Sequence, residues 1–268
     1  MKIDVVIQGK YFDFTQEVVN VYREVPFINN IIISCWENDN ISSSLDAKNI
    51  KIIKNKYPGN CGVDNKNLQI VTSLNGLKCS NEEFAIKTRS DQKYTYESLM
   101  AMYDFFSKHI FDNINKIFVA GVYPELLFSP RDHIFWGTTK NLLKLFDIPL
   151  EKNNLIDTVK IEKNDLWKYY DCFVRTETYI GSYYCSNFDN TVTTNKMIYK
   201  SSEYLYDNAP NWGTAKQISD SLLKVGFKSF PKNIINFEWL GKWAWNIPGN
   251  PWYIKSYIDA CSWHEEGF

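Results

Sequence analysis

Residues 64–93 read DNKNLQIVTSLNGLKCSNEEFAIKTRSDQK, and two periodicities meet inside them. From Leu68 the apolar residues Val71, Leu74 and Leu77, with Ile70 beside them, recur at helical spacing, so a helix is expected to lie with that stripe on a sheet. In EEFAIKTRSD the period changes: Phe84 and Ile86 alternate with residues of another kind, as in a strand. The chain leaves that strand through Lys87, Arg89 and Asp91. Ligands of open α/β sheets sit in the crevice beyond the carboxyl ends of the strands. A cation and a carboxylate at such an end suit a phosphate ester with a divalent metal. A solvated strand end with ordinary surface charges is the competing reading.

Working outward, IDVVIQ (Ile3–Gln8) is a buried strand ending at Gly9, and Thr15 offers an N-cap for a helix through Val18, Val19 and Tyr22. NIIISCW (30–36) and IKIIK (50–54) supply two more strands, giving the alternation of parallel βαβ units. Past Asp91, Thr95 caps a helix running to about Lys108, and KIFVAG (116–121) is another strand. A polar loop from Pro130 to His133 precedes a strand-like IFWG, after which Thr138 or Thr139 opens a helix. Beyond Pro149 the texture turns aromatic. WKYYDCFVRTETYIGSYYC reads as helical, and a helix from about Thr214 stops at Gly226.

Composition narrows the classes. A chain of 268 residues with 44% hydrophobic residues fits one elaborated α/β domain or two small ones sharing a cleft. We take 1–150 as the core and 151–268 as an elaboration packed on it. Thirty Lys and Arg against 31 Asp and Glu disfavour a dedicated nucleic-acid binder. Seventeen Tyr, seventeen Phe and nine Trp exceed ordinary core needs, which leaves aromatics for stacking on sugars or bases or for anchoring an interface. No apolar run is long enough for a transmembrane helix, and MKIDVVIQGKYF reads as a strand rather than a signal peptide. Cys35, Cys61, Cys79, Cys172, Cys185 and Cys261 have neither C-x-x-C nor zinc-like spacing, so reduced thiols in a cytoplasmic protein are expected. The absence of a G-x-G-x-x-G after any strand removes support for a dinucleotide oxidoreductase.

The stretch NKNLQIVTSLNGLKCSNEEFAIKTRSD resembles the WavE family of lipopolysaccharide-synthesis glycosyltransferases, which has a similar asparagine-rich helix start and a K-x-R-[ST]-D strand end. Looser matches are VVIQG (5–9), IIISCWE (31–37), RDHIFWGTT (131–139) and TETYIG (176–181). The resemblance implies a GT-A-like fold: a mostly parallel sheet flanked by helices, with a helical, aromatic-rich C-terminal portion. It also implies transfer of a sugar from a nucleotide-sugar donor to a glycan or lipid-linked acceptor, with possible peripheral contact at the inner face of a membrane. A non-catalytic carbohydrate-binding or scaffold protein on the same fold is the alternative.

For a GT-A enzyme the expected metal and diphosphate motif is Asp-x-Asp. Here the corresponding step is Arg89-Ser90-Asp91. One Asp can still anchor Mn²⁺ or Mg²⁺, with phosphate oxygens and waters completing the shell. Arg89 then either structures the site or neutralises phosphate directly. The expected donor-binding residues are Gln8, Gly9, Trp36, Asn67, Gln69, Lys87, Arg89 and Asp91, with Asp91 and His264 as metal ligands. An inverting transfer needs a carboxylate near the acceptor hydroxyl. Asp132 and Glu177 are the candidates, with Asp132 preferred. His133 is read as a loop histidine. The segment Trp239–Trp252 is read as core, or as an acceptor wall or membrane contact.

Overall fold

Alternation of buried apolar strands with helices closes into one mixed sheet. The computed structural model describes residues 1–41, 45, 48–123, 126–151, 175–188 and 212–240. Among these, seven strands line up in the order β3-β2-β1-β4-β7-β6-β8. They are β1 (Ile3–Gln8), β2 (Ile28–Trp36), β3 (Ile50–Asn55), β4 (Phe84–Arg89), β6 (Ile117–Val119), β7 (Ile134–Thr138) and β8 (Phe227–Ser229). β3, β2, β1 and β4 pair in parallel, β7 runs antiparallel to both β4 and β6, and β8 returns parallel to β6. Four of its six neighbouring pairs are parallel, which is the mostly parallel sheet that was expected. A separate pair, β5 (Gln92–Tyr94) with β9 (Phe237–Trp239), is antiparallel.

Six helices are described: α1 (Thr15–Glu24), α2 (Lys66–Leu77), α3 (Tyr96–His109), α4 (Thr139–Phe146), α5 (Thr176–Cys185) and α6 (Trp212–Gly226). Side-chain alternation along the strands splits the core into two layers. Ile3, Val5, Ile7 and Ile86 face α1 and α3 through Val18, Tyr22, Leu99 and Phe106. Val6, Ala85 and Phe135 face the opposite side with Ile70, Leu142, Phe146, Ile180 and Leu223. The strands β8 and β9 come from the C-terminal portion, so residues beyond 151 help to build both sheets.

Several local expectations hold and several need correction. Thr95 and Thr138 cap their helices by accepting from Ser98 N and Asn141 N. Thr15 does not cap α1. It is the first helical residue, accepting from Phe12 N at 3.0 Å and donating to Ser90 O at 3.1 Å. The stripe expected on α2 is also turned: Val71 and Leu74 are only half-buried, whereas Gln69, Ile70, Thr72, Ser73, Gly76 and Leu77 are buried. Small residues win this face because the helix lies very close to the sheet. A Cβ on Gly76 would come 2.4 Å from Val6 Cγ1. Gly226 ends α6 without a left-handed turn. It is needed for packing, since a Cβ there would lie 2.9 Å from Phe188 Cε2. The three-residue strands β5, β8 and β9 are too short to leave a period in the sequence.

Candidate active site

The parallel strands end on one edge of the sheet, and a cavity of about 760 Å³ opens there. Its floor is the chain leaving β1. Gln8 is held from the helix side, its Oε1 accepting from Thr72 Oγ1 at 2.8 Å. Gly9 follows with φ +116°, a conformation that costs L side chains dearly. A Cβ at Gly9 would also stand 3.0 Å from Ser90 Oγ, so the β1 and β4 ends meet through this glycine.

At the β2 end, Trp36 is buried and lies 4.8 Å, ring to ring, from the exposed Tyr57. Asp39 ties this corner together by accepting from Tyr11 N at 2.8 Å and Trp36 N at 3.0 Å. Trp36, Asn38, Asp39 and Tyr57 all line the cavity. An aromatic face beside amide and carboxylate groups can stack on a base and bond its edge or ribose.

The β4 end carries the densest charge. Arg89 Nε and Nη2 donate to the two oxygens of Asp91 at 3.0 and 3.1 Å, and Nη1 donates to Asp132 Oδ2 at 2.9 Å. The Arg89 side chain is 25% exposed, against 9% for Asp91 and 6% for Asp132. Trp239 of β9 covers it, with the guanidinium carbon 5.0 Å from the ring centroid. Burial opposes the Arg89 charge, but Asp132 and Asp91 more than offset it and hold the guanidinium firmly protonated. For Asp132 burial works against ionisation. Arg89 and Lys87 override it and keep the carboxyl far below its ordinary range.

Two expected donor contacts do not reach the cavity. Lys87 is fully buried beneath the site, where Nζ donates to Asp132 O at 2.9 Å and lies over Phe135 and Phe146. It shares a strand face with Arg89, but the aromatic side chains of β7 and α4 close over it. Desolvation pulls its pKa down to about 7. Asn67 is turned away, accepting from Glu151 N at 2.8 Å and donating to Glu151 O at 2.9 Å. Its neighbour Lys66 pairs with Glu151 Oε2 at 3.4 Å. Both residues brace a loop, and neither lines the cavity.

The opposite wall is built from helix starts. Before α2, Asp64 and Asn65 both have positive φ (56° and 57°), which Asn and Asp tolerate better than other side chains. Asp64 O accepts from Thr176 Oγ1 at 3.0 Å, bringing the first turn of α5 against this loop. Gln69 and Glu177 line the cavity from these two helices. Gln69 Nε2 and Glu177 Oε2 are buried without a hydrogen-bond partner among the described residues, although Glu177 as a residue is half-buried. Burial, then the charges of Asp132 and Asp64, push the Glu177 pKa up to about 8 against the lowering effect of its own backbone amide and of Arg175. His133 is buried, with Nδ1 2.5 Å from Gln92 Nε2, and burial lowers its pKa to about 3. Its low pKa leaves the imidazole neutral, paired through Nδ1 with the Gln92 amide.

Of the residues expected from sequence, the cavity thus gathers Gln8, Gly9, Trp36, Gln69, Arg89, Asp91, Asp132 and Glu177. His264 lies outside the described residues. Trp239, read from sequence as core or acceptor wall, lines it too, as do Asp39, Tyr57, Asp64, Tyr123, His133 and Arg175, which were not assigned to it from the sequence. The consecutive Asp64-Asn65 pair is the one legible signal among them, since such pairs favour left-handed backbone.

The carboxylates at the β4 end do not suit a divalent ion as arranged. Three of their four oxygens already accept from Arg89. Among the described residues no three His, Cys, Asp or Glu side chains are placed to hold a metal.

A family model for WavE lipopolysaccharide synthesis matches residues 3–209. The chain belongs to that family. The match takes in every described strand except β8 and β9. No curated protein matches this WavE member significantly. Among solved structures, it is similar to S. aureus TarS 1-349 at 13% identity and TM-score 0.43, covering 84% of this chain and 83% of that one. The same protein in complex with UDP-GlcNAc aligns at 10% identity and TM-score 0.40, covering 87% and 83%. The 4-diphosphocytidyl-2C-methyl-D-erythritol synthase from Anaerococcus prevotii DSM 20548 aligns at 11% identity and TM-score 0.40, covering 65% and 86%. Six cysteines are present, and the four described ones, Cys35, Cys61, Cys79 and Cys185, are free thiols. No described helix is long and apolar enough to cross a membrane.

Proposed function

We propose that this WavE-family chain is a glycosyltransferase that moves a sugar from a nucleotide-sugar donor to a glycan or lipid-linked acceptor in surface-polysaccharide synthesis. The observation that carries the reading is one cavity, at the carboxyl ends of β1 and β4, holding both a fixed guanidinium and a glutamate carboxyl with one buried, unpartnered oxygen. The first suits a leaving diphosphate and the second suits an incoming hydroxyl. The nucleoside lies between the β1 turn and the Trp36–Tyr57 corner, and Gly9 lets the donor approach the backbone.

Glu177, rather than Asp132, takes the proton. Asp132 is bound to Arg89 and held ionised far below neutrality, which makes it a weak base. Glu177 has a free Oε2 and a pKa close to working pH. In the step itself, the acceptor oxygen bonds to the anomeric carbon while the bond from that carbon to the diphosphate oxygen breaks. Those electrons leave with the nucleoside diphosphate, and the acceptor proton passes to Glu177. A single displacement of this kind inverts the anomeric centre.

The test is binding and turnover with the full chain. UDP or GDP should raise the melting temperature, and a matching nucleotide sugar should release nucleoside diphosphate. Absence of both effects across UDP, GDP and CDP sugars would sink the reading. A thermal shift without release of diphosphate would support the non-catalytic alternative.

A further inference from the structure

We infer that Arg89 is the built-in cation for the donor's diphosphate, so that nucleotide binding at this site needs no divalent metal. The inference rests on the glycosyltransferase reading and specifies how that site holds its donor. A guanidinium has five N–H donors. Arg89 commits one from Nε and one from each terminal nitrogen to Asp91 and Asp132. The two that remain belong to a side chain that lines the cavity and keeps 25% of its surface open. Its position is fixed from three directions: Asp91 on its own strand end, Asp132 from the loop before β7, and the Trp239 ring above. A cation held in place before the ligand arrives spends little on reorganisation when negative charge builds on the leaving group.

The same contacts argue against a metal at this spot. The two carboxylates that would ligate one are acceptors for Arg89 instead. The strand step Arg89-Ser90-Asp91 therefore has the acid-x-acid spacing with its first acid replaced by the charge that a metal would supply. Guanidinium groups bind phosphate oxygens strongly, and Arg89 has one spare N–H on each terminal nitrogen for that purpose.

The substitution Arg89→Asp restores Asp-x-Asp and so separates the two ways of holding a diphosphate. Dissociation constants for UDP, GDP and CDP are measured on the full chain by calorimetry, in EDTA and again in Mn²⁺. For the wild-type chain the best nucleotide should bind equally well in both. Arg89→Asp should bind about 10- to 100-fold more weakly in EDTA, the range for losing a charge-assisted hydrogen bond, and recover in Mn²⁺. Arg89→Lys should keep part of the EDTA affinity. Wild-type binding that appears only with Mn²⁺ overturns the inference while leaving the glycosyltransferase reading standing. If no nucleoside diphosphate binds in either medium, the functional reading falls and this inference falls with it. Should Arg89→Asp not fold, the wild-type comparison still decides the matter.

Discussion

The two walls of the cavity handle buried charge in opposite ways. On the β4–β7 wall the charged groups are answered, Arg89 by Asp91 and Asp132 and Lys87 by the Asp132 carbonyl, and the unpartnered Gln92 Oε1 behind them does not line the cavity. On the α2–α5 wall, Gln69 Nε2 and Glu177 Oε2 are buried without partners. Leaving such atoms unpaired costs about 1–3 kcal/mol each. A fold tolerates that cost where something else completes the bonds, so the paired wall is a preset electrostatic frame and the unpaired wall is where ligand groups arrive.

This contrast predicts how each wall responds to substitution. Glu177→Gln removes the base without changing shape, and turnover should fall about 10²- to 10⁴-fold with nucleotide affinity unchanged. In the wild type, kcat/KM should climb with pH and level off above about 8, where Glu177 has lost its proton. A flat profile, or a Gln variant that keeps full turnover, would remove Glu177 from the reaction.

Asp132→Asn acts on the answered wall. It strips a charge from Arg89 and should cost about 2–3 kcal/mol of stability, read from denaturant unfolding. A stability unchanged from wild type would show that the Arg89 pairing adds nothing to the frame.

The proton balance of Glu177 gives the two walls different pH signatures. Native Glu177 keeps its proton up to about pH 8, whereas its ordinary value is 4.5. The folded state therefore binds the extra proton between those values. Its contribution to stability is full below pH 4.5 and is lost as pH rises through 8. Glu177→Gln has no such loss, so its advantage over wild type should widen from pH 5 to pH 9 in thermal unfolding. A constant gap across that range would mean the carboxyl is not desolvated.

The smallest effect is expected at Gln69. Gln69→Leu removes an unpaired buried amide, so the fold should hold or gain slightly. Donor affinity should drop about 3- to 10-fold. Lost stability with unchanged affinity would place the amide in the scaffold rather than at the ligand.

The sheet was largely legible in the sequence. β1, β2 and β4 are buried runs and β3 is an isoleucine-rich edge run, none of which needs distant partners to be read, and Thr95 and Thr138 cap their helices through bonds only three residues long. The orientation of α2 was not legible, because Gly76 makes sense only once Val6 is known to lie beneath it. Nor were β8 and β9: three-residue strands are stabilised by the edges they join. Within the site, Arg89 and Asp91 announced themselves as charges at a strand end. The same rule misplaced Lys87, because alternation puts it on the face of Arg89 without saying that Phe135 and Phe146 close over it.

Local chemistry thus set the strands, the caps, the left-handed glycine at the first strand's end and the charged step after the fourth. Which carboxylate is shackled and which is free depended on residues 41 positions apart and more meeting around one guanidinium, as Asp91 and Asp132 do. Coulomb energy and desolvation depend on distance in space, and a linear chain does not record that distance.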